Sequence, residues 1–202
     1  MQIGVLGLQG DVAEHVAILR KIVNKNGVKL VKYAHEIDEL DGLIIPGGES
    51  TTLSDLIVKY GIDKAIAKKL DLPIFGTCAG TILLAKELVD QTDQYVLKMM
   101  DIKVERNAYG RQRESFEVNL DIPVLGKKPF RAVFIRGPTI VSCGKEIEVL
   151  AKYEGKPVLA RQGNKLAATF HPELTDDLRI QRYFIEMVKE NGELTHSSGK
   201  AE

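Results

Sequence analysis

Hydrophobic and polar positions alternate along this chain in two rhythms, one of period two and one of helical period. Residues 2–8 (QIGVLGL) form a short apolar run punctuated by glycine and read as a buried strand. From Asp11 onward the apolar positions Val12, Val16 and Leu19, joined by Ile22 and Val23, follow helical spacing. Asp11 is the expected N-cap and Gly27 the expected stop. Residues 28–33 (VKLVKY) alternate as a second strand, and residues 43–46 (LIIP) form a third that ends in Gly47-Gly48. Thr52-Leu53-Ser54-Asp55 matches the S/T-x-x-D/E start of a helix whose inner face carries Leu53, Leu56, Ile57 and Tyr60. Residues 73–76 (PIFG) are a fourth strand, and residues 80–88 a further helix with one apolar face. This alternation predicts an α/β fold, a doubly wound and mostly parallel sheet.

The second half has a different texture. Residues 116–120, 131–135, 148–153, 158–161 and 166–170 read as short strands, with turn signals at Glu154-Gly155 and Gly163-Asn164. They are expected to extend the same sheet in antiparallel fashion. Residues 176–189 form a closing helix with Leu178, Ile185 and Val188 among its apolar positions. The polar stretch from Asn191 is expected to fray. With no internal repeat and no linker, residues 1–190 read as a single domain followed by a tail, 191–202.

Composition narrows the classes. A chain of 202 residues with 44% hydrophobic residues can build one substantial core. Lys+Arg and Asp+Glu are both 28, so the formal net charge is zero. That argues against a general electrostatic grip on nucleic acid or on an anionic membrane. No apolar run approaches the ~20 residues that span a bilayer. The first residues lack a basic segment and turn acidic early, which predicts a cytoplasmic protein without a signal peptide. Cys78 and Cys143 are then expected to be thiols.

The sharpest chemical signal is Gly76-Thr77-Cys78-Ala79-Gly80, between a strand and a helix. It has the G-x-nucleophile-x-G pattern, with cysteine as the nucleophile. Side chains two residues either side of such a turn would collide, and glycine removes them. The turn lifts the sulfur above the carboxyl edge of the sheet, where open α/β sheets bind ligands. The following helix N-terminus brings partial positive charge, and the Ala79 N–H is placed as an oxyanion donor. A buried structural thiol is the plainer alternative; the paired glycines weigh against it. Cys143 has no such frame and reads as core or near-core packing.

A cysteine nucleophile needs a base. Of the histidines, His15 is expected on the surface or flank of the first helix, His35 in a loop and His196 in the tail. His171 differs, because His171-Pro172-Glu173 closes a strand. In an extended segment residues two apart share a side, so Glu173 can orient the His171 ring toward the thiol. Alone, this segment could equally be a surface turn. Zinc is disfavoured, since there is no C-x-x-C and no paired histidine spacing. Pro46-Gly47-Gly48-Glu49-Ser50 allows close backbone approach to a ligand, or is an ordinary strand-to-helix turn.

Taken together, Pro-Gly-Gly-Glu-Ser-Thr-Thr at 46–52, Phe-Gly-Thr-Cys-Ala-Gly at 75–80 and Phe-His-Pro-Glu at 170–173 resemble the triad-type (class I, flavodoxin-like) glutamine amidotransferase family. The segments GVLGLQG at 4–10, ERNAYGRQ at 105–112 and FIRGP at 134–138 resemble, more narrowly, the glutaminase subunits of pyridoxal 5′-phosphate synthases. The resemblance implies attack of Cys78 on the side-chain amide of L-glutamine, with His171 as base and Glu173 as its orienter. It implies substrate contacts from Gly47, Gly48, Glu49 and Ala79, a carboxylate clamp at Arg106, and further contacts from Ile135 and Arg136. It also implies a separate synthase subunit of TIM-barrel fold in a large hetero-oligomer, and no metal or cofactor held by this chain. Arg111 and Arg113 read as structural or partner-facing. A cysteine hydrolase or another amidotransferase's glutaminase on the same fold, and a non-catalytic binding subunit, are the competing readings.

Overall fold

The computed structural model describes residues 1–90, 92–106 and 115–198. Its elements are β1 (Ile3–Leu6), α1 (Val12–Leu19), β2 (Val28–Val31), β3 (Gly42–Ile45), α2 (Ser50–Lys59) and α3 (Ile62–Lys68). Next come β4 (Ile74–Thr77), α4 (Ala79–Leu84), β5 (Ala85–Leu88), β6 (Met100–Glu105), β7 (Ser115–Leu120) and β8 (Phe130–Ile135). The chain closes with β9 (Thr139–Cys143), β10 (Glu148–Tyr153), β11 (Lys156–Gln162), β12 (Lys165–Ala168) and α5 (Arg179–Ser198).

The main sheet has the order β10-β11-β12-β4-β3-β1-β2. The strands from β12 through β2 are parallel, whereas β11 and β10 add on antiparallel. The expected doubly wound sheet with an antiparallel extension is therefore present. Side chains along its central strands divide with period two between a core on each face. Leu43, Ile45 and Ile74 pack with α2, α3 and α4, while Ile44 and Phe75 pack with Leu19, Phe170 and Phe184 on the other side. Burial on both faces is why these strands are almost wholly apolar.

Several local expectations are corrected. The stretch 80–88 is helical only to Leu84; Ala85 turns extended and β5 pairs with β6. β6 and β9, unanticipated, complete a three-stranded sheet, and β7 pairs with β8 in a ribbon apart from the main sheet. The alternating burial of β6 was a readable period-two signal. Helix α3, also unanticipated, begins after Gly61, which interrupts the helical period. Helix α1 stops at Leu19 and not at Gly27. The closing helix starts at Arg179 and runs on to Ser198, because polarity alone does not end a helix and no proline follows. Among the described residues no helix is long and apolar enough to cross a membrane.

Register decides what meets at the carboxyl edge of the sheet. Ile45 lies beside Gly76, and Thr77 beside Ala168. The chain leaving β3 at Pro46-Gly47, leaving β4 at Cys78 and leaving β12 toward His171 therefore emerges along one rim.

Candidate active site

Cys78 occupies the junction of β4 and α4 with φ 48° and ψ −103°, a backbone conformation rare for a residue with a side chain. The surroundings hold it there. Its N–H donates to the Ala168 carbonyl at 2.8 Å, and the Thr81 hydroxyl donates to the same carbonyl at 2.7 Å. Close packing explains the flanking glycines: a Cβ at Gly76 would stand 2.5 Å from the Gly80 backbone, and one at Gly80 would run into the Ile45 carbonyl. The sulfur is directed toward the Ile135 carbonyl, 4.0 Å away.

His171 follows β12, its N–H donating to the Val133 carbonyl at 2.8 Å. The next residues, Pro172–Leu174, form a 3-10 turn and not the extended segment expected, yet the turn still folds Glu173 back under the ring. His171 Nδ1 donates to Glu173 Oε1 at 2.8 Å and lies 3.2 Å from Asp11 Oδ2. The Glu173 side chain is fully buried. Burial pushes its carboxyl upward, but the adjacent His15 and His171 rings outweigh that and hold it down at about 2. For His171, burial pulls the other way, and Asp11, Cys78 and Glu173 together raise its pKa well above the usual imidazole value. Asp11, His171 and Glu173 offer ligand atoms within 4.8 Å of one another. A ring N–H between two carboxylates accounts for that cluster by proton sharing alone.

Two residues here contradict expectation. Asp11 makes no side-chain cap on α1; its carboxylate turns to His171 instead. His15 is fully buried and not on the helix surface, with Nε2 at 3.0 Å from Thr77 Oγ1 and 3.5 Å from Glu173 Oε1. Both sit on one helical face, four residues apart, which was the one sequence signal available.

The diglycine loop is held from outside. Gln9 Nε2 donates to the Glu49 carbonyl at 2.8 Å, and the Glu49 N–H donates to Gln9 Oε1 at 3.3 Å. The Asp11 N–H donates to the Gly47 carbonyl at 3.1 Å, and Gly47 backs onto the His171 ring. Glu49, not the Thr52–Asp55 pair, caps α2. Its carboxylate accepts from the N–H groups of Thr51 and Thr52 at 3.1 and 2.6 Å. Hydrogen bonds from Thr52 and Thr51 outweigh desolvation and lower its pKa to about 2.

A cavity of about 360 Å³ opens over these elements. Gly48, Glu49, Cys78, Ala79, Arg106, Ile135, Arg136 and His171 all line it, together with Asp11, Ser50 and Ile82. Arg106 is pre-oriented: Nη1 donates to Gln94 Oε1 at 2.7 Å and Nε to Asp90 Oδ2 at 3.3 Å. Asp90 and Gln94 carry no motif and went unread in the sequence. Arg136 adopts φ 43°, a second side-chain-bearing residue in the left-handed region at this rim. Cys143 is half-buried, with burial pushing its thiol up. Arg111 and Arg113 lie outside the described residues.

A doubly wound sheet that raises a thiol on a strained elbow, in one cavity with an imidazole backed by a carboxylate, is the layout of an α/β enzyme suited to cysteine nucleophilic chemistry. The whole fold superposes on a crystallised glutamine amidotransferase with a TM-score of 0.87 and 45% identity, covering 94% of this chain and 100% of that one. The chain belongs to the SNO glutamine amidotransferase family, whose model matches residues 5–190. Among its relatives, pyridoxal 5′-phosphate synthase subunit PdxT of Thermotoga petrophila is 55% identical over 94% of this chain and 100% of its own length. The protein of the same name from Brevibacillus brevis is 56% identical over 94% of this chain and 98% of its own. A further crystallised glutamine amidotransferase, from Thermotoga maritima, shares the fold alone, at a TM-score of 0.57 and 16% identity over 97% of this chain and 86% of that one.

Proposed function

We propose that this chain is the glutaminase subunit of a pyridoxal 5′-phosphate synthase, releasing ammonia from L-glutamine for a partner synthase subunit. The observation that carries the reading is that Cys78 and His171 line one cavity while Glu173 holds the ring's far nitrogen. Cys78 attacks the side-chain amide carbon as its proton passes to His171. The oxyanion is received by the Ala79 N–H and the Gly47-Gly48 loop. His171 returns a proton to the leaving nitrogen, and ammonia departs. Water, deprotonated by His171, then attacks the thioester and frees glutamate with the thiol restored.

Arg106, already aimed into the cavity, suits the substrate α-carboxylate because its guanidinium fork matches a carboxylate. Glu49 contacts substrate through its backbone, since its carboxylate is engaged in capping α2. Ile135 and Arg136 close the far wall. Residues 1–190 act as one glutaminase domain, a reading supported by the extent of the family match. The partner is the TIM-barrel synthase of a large hetero-oligomer, and the setting is the cytoplasm, where thiols persist. Arg106 and Arg136 in the cavity favour glutamine over a peptide substrate. Docking of the synthase selects the productive orientation of the diglycine loop.

Ammonia release from glutamine, measured with and without the synthase, tests the reading. Wild type is expected to turn over faster with the synthase, and Cys78→Ala to lose roughly 10³-fold or more in kcat, as nucleophile removal does in triad enzymes. Full activity in Cys78→Ala would overturn the mechanism, and equal rates without synthase would overturn the docking role.

A further inference from the structure

The glutaminase mechanism uses three side chains, yet a fourth ionisable group lies sealed beneath them. His15 is 0% exposed. Its Nε2 stands 3.0 Å from the Thr77 hydroxyl and 3.5 Å from Glu173 Oε1. Its other nitrogen, Nδ1, is buried with no hydrogen-bond partner among the described residues. An unpaired lone pair is tolerated in such a place better than an unpaired N–H, so the proton belongs on Nε2, shared between the hydroxyl and the carboxylate. Glu173 in turn has Oε2 buried with no hydrogen-bond partner among the described residues. Its whole negative charge is therefore answered through Oε1, by His171 from one side and by His15 from the other.

We propose that His15 is a positioning residue for the glutaminase reaction, acting through Glu173 to keep that carboxylate ionised and fixed beneath His171. The proposal rests on the glutaminase reading above. A buried carboxylate answered by a single N–H is drawn to take up a proton, and as an acid it no longer holds the His171 tautomer. The second donor prevents this. It comes from α1, one helical turn after Asp11, so a single short segment sets Asp11 against His171 and His15 against Glu173. Thr77, which His15 touches, is the residue just before the thiol. The groups facing this cluster are Thr77 from β4, Glu173 and His171 from the segment after β12, Asp11 from the start of α1, and Cys78 across the ring.

The test uses the full chain in complex with the synthase, following ammonia release from glutamine across pH. Active sites are counted by alkylation of Cys78 with a glutamine-like chloroketone, so that kcat refers to folded protein. His15→Leu is expected to lower kcat roughly ten- to a hundredfold, the range for one lost hydrogen bond to a charged group, with KM changed less than about twofold. The acid limb of its kcat profile moves to higher pH, because Glu173 then takes up a proton more readily. His15→Gln, which returns an N–H near the same place, is expected to recover most of kcat and to bring the acid limb back. A purely structural role would lower the number of titratable sites without moving that limb. An unmoved limb in His15→Leu, or a His15→Gln as impaired as His15→Leu, overturns the positioning role. Wild type runs alongside; its failure to release ammonia from glutamine would instead bring down the glutaminase reading and this proposal with it.

Discussion

Gly10 carries a constraint that has nothing to do with its own chemistry. It sits at φ 93°, and a Cβ there would fall on the Gly47 carbonyl oxygen. Its neighbours Gln9 and Asp11 are the two residues that clamp the diglycine loop. Gly10→Ala therefore strains the left-handed backbone, by about 1–2 kcal/mol, and also displaces the loop that backs onto His171. Expected outcomes are a thermal midpoint lower by roughly 2–8 °C for a domain of this size and a kcat for glutamine reduced about tenfold or more. Calorimetry and an ammonia assay on the same preparation check both; an unchanged kcat would show that the loop tolerates displacement. Cys78 displays the same principle in the opposite sense. There a side chain is forced into a conformation that favours glycine, and the strain is sustained by the bonds around Ala168.

Helix α2 links the substrate loop to the body of the fold. Its cap, Glu49, belongs to both, so the loop cannot shift far without uncapping the helix. Glu49→Ala is expected to cost about 1 kcal/mol, the usual loss of an N-cap, and to lower the thermal midpoint by about 2–4 °C. Glu49→Gln, which keeps one acceptor oxygen, should lose less. Thermal denaturation of the three proteins decides this, and equal midpoints would mean that the Thr51 and Thr52 N–H groups find other acceptors. Competition between elements also explains where local pattern misleads. The segment 80–88 looks helical because its apolar residues fit one face, but β6 offers Ala85–Leu88 a ladder of backbone partners. Tertiary pairing overrides local propensity there. Asp11 looks like a cap for a similar reason. Aspartate before a helix is a local signal, and the His171 ring that claims it lies far along the chain.

At the scale of the molecule, the buried His171–Glu173 pair makes stability depend on pH in both directions. Glu173 has a folded pKa of about 2 against an ordinary value of 4.5. Its contribution is present above 4.5 and lost as the pH falls toward 2. His171 has a folded pKa raised above its ordinary 6.5. Its contribution is complete below 6.5 and declines as the pH rises through and beyond that value. The pair is therefore expected to stabilise most between 4.5 and 6.5. Urea titrations across pH should show Glu173→Gln with a flatter acid slope than wild type; parallel slopes would exclude Glu173 as the group responsible.

Much of the proposed catalytic edge could be read from the chain because each part of it is local. The elbow at 76–80 and the His171-Pro172-Glu173 segment are short patterns whose residues touch one another, and the apolar runs of β1, β3 and β4 bury themselves whatever their neighbours. Those features point to the doubly wound sheet and to the chemistry proposed at its rim. What the chain order could not show is which distant side chains complete the rim. Strand register brings Thr77 beside Ala168, and only then do Asp11 and His15 find their partners beneath His171 and Glu173. A carboxylate and an imidazole on an amphipathic helix look the same in sequence whether they face water or a buried charge. Burial separates the two cases, and burial is a property of the assembled fold.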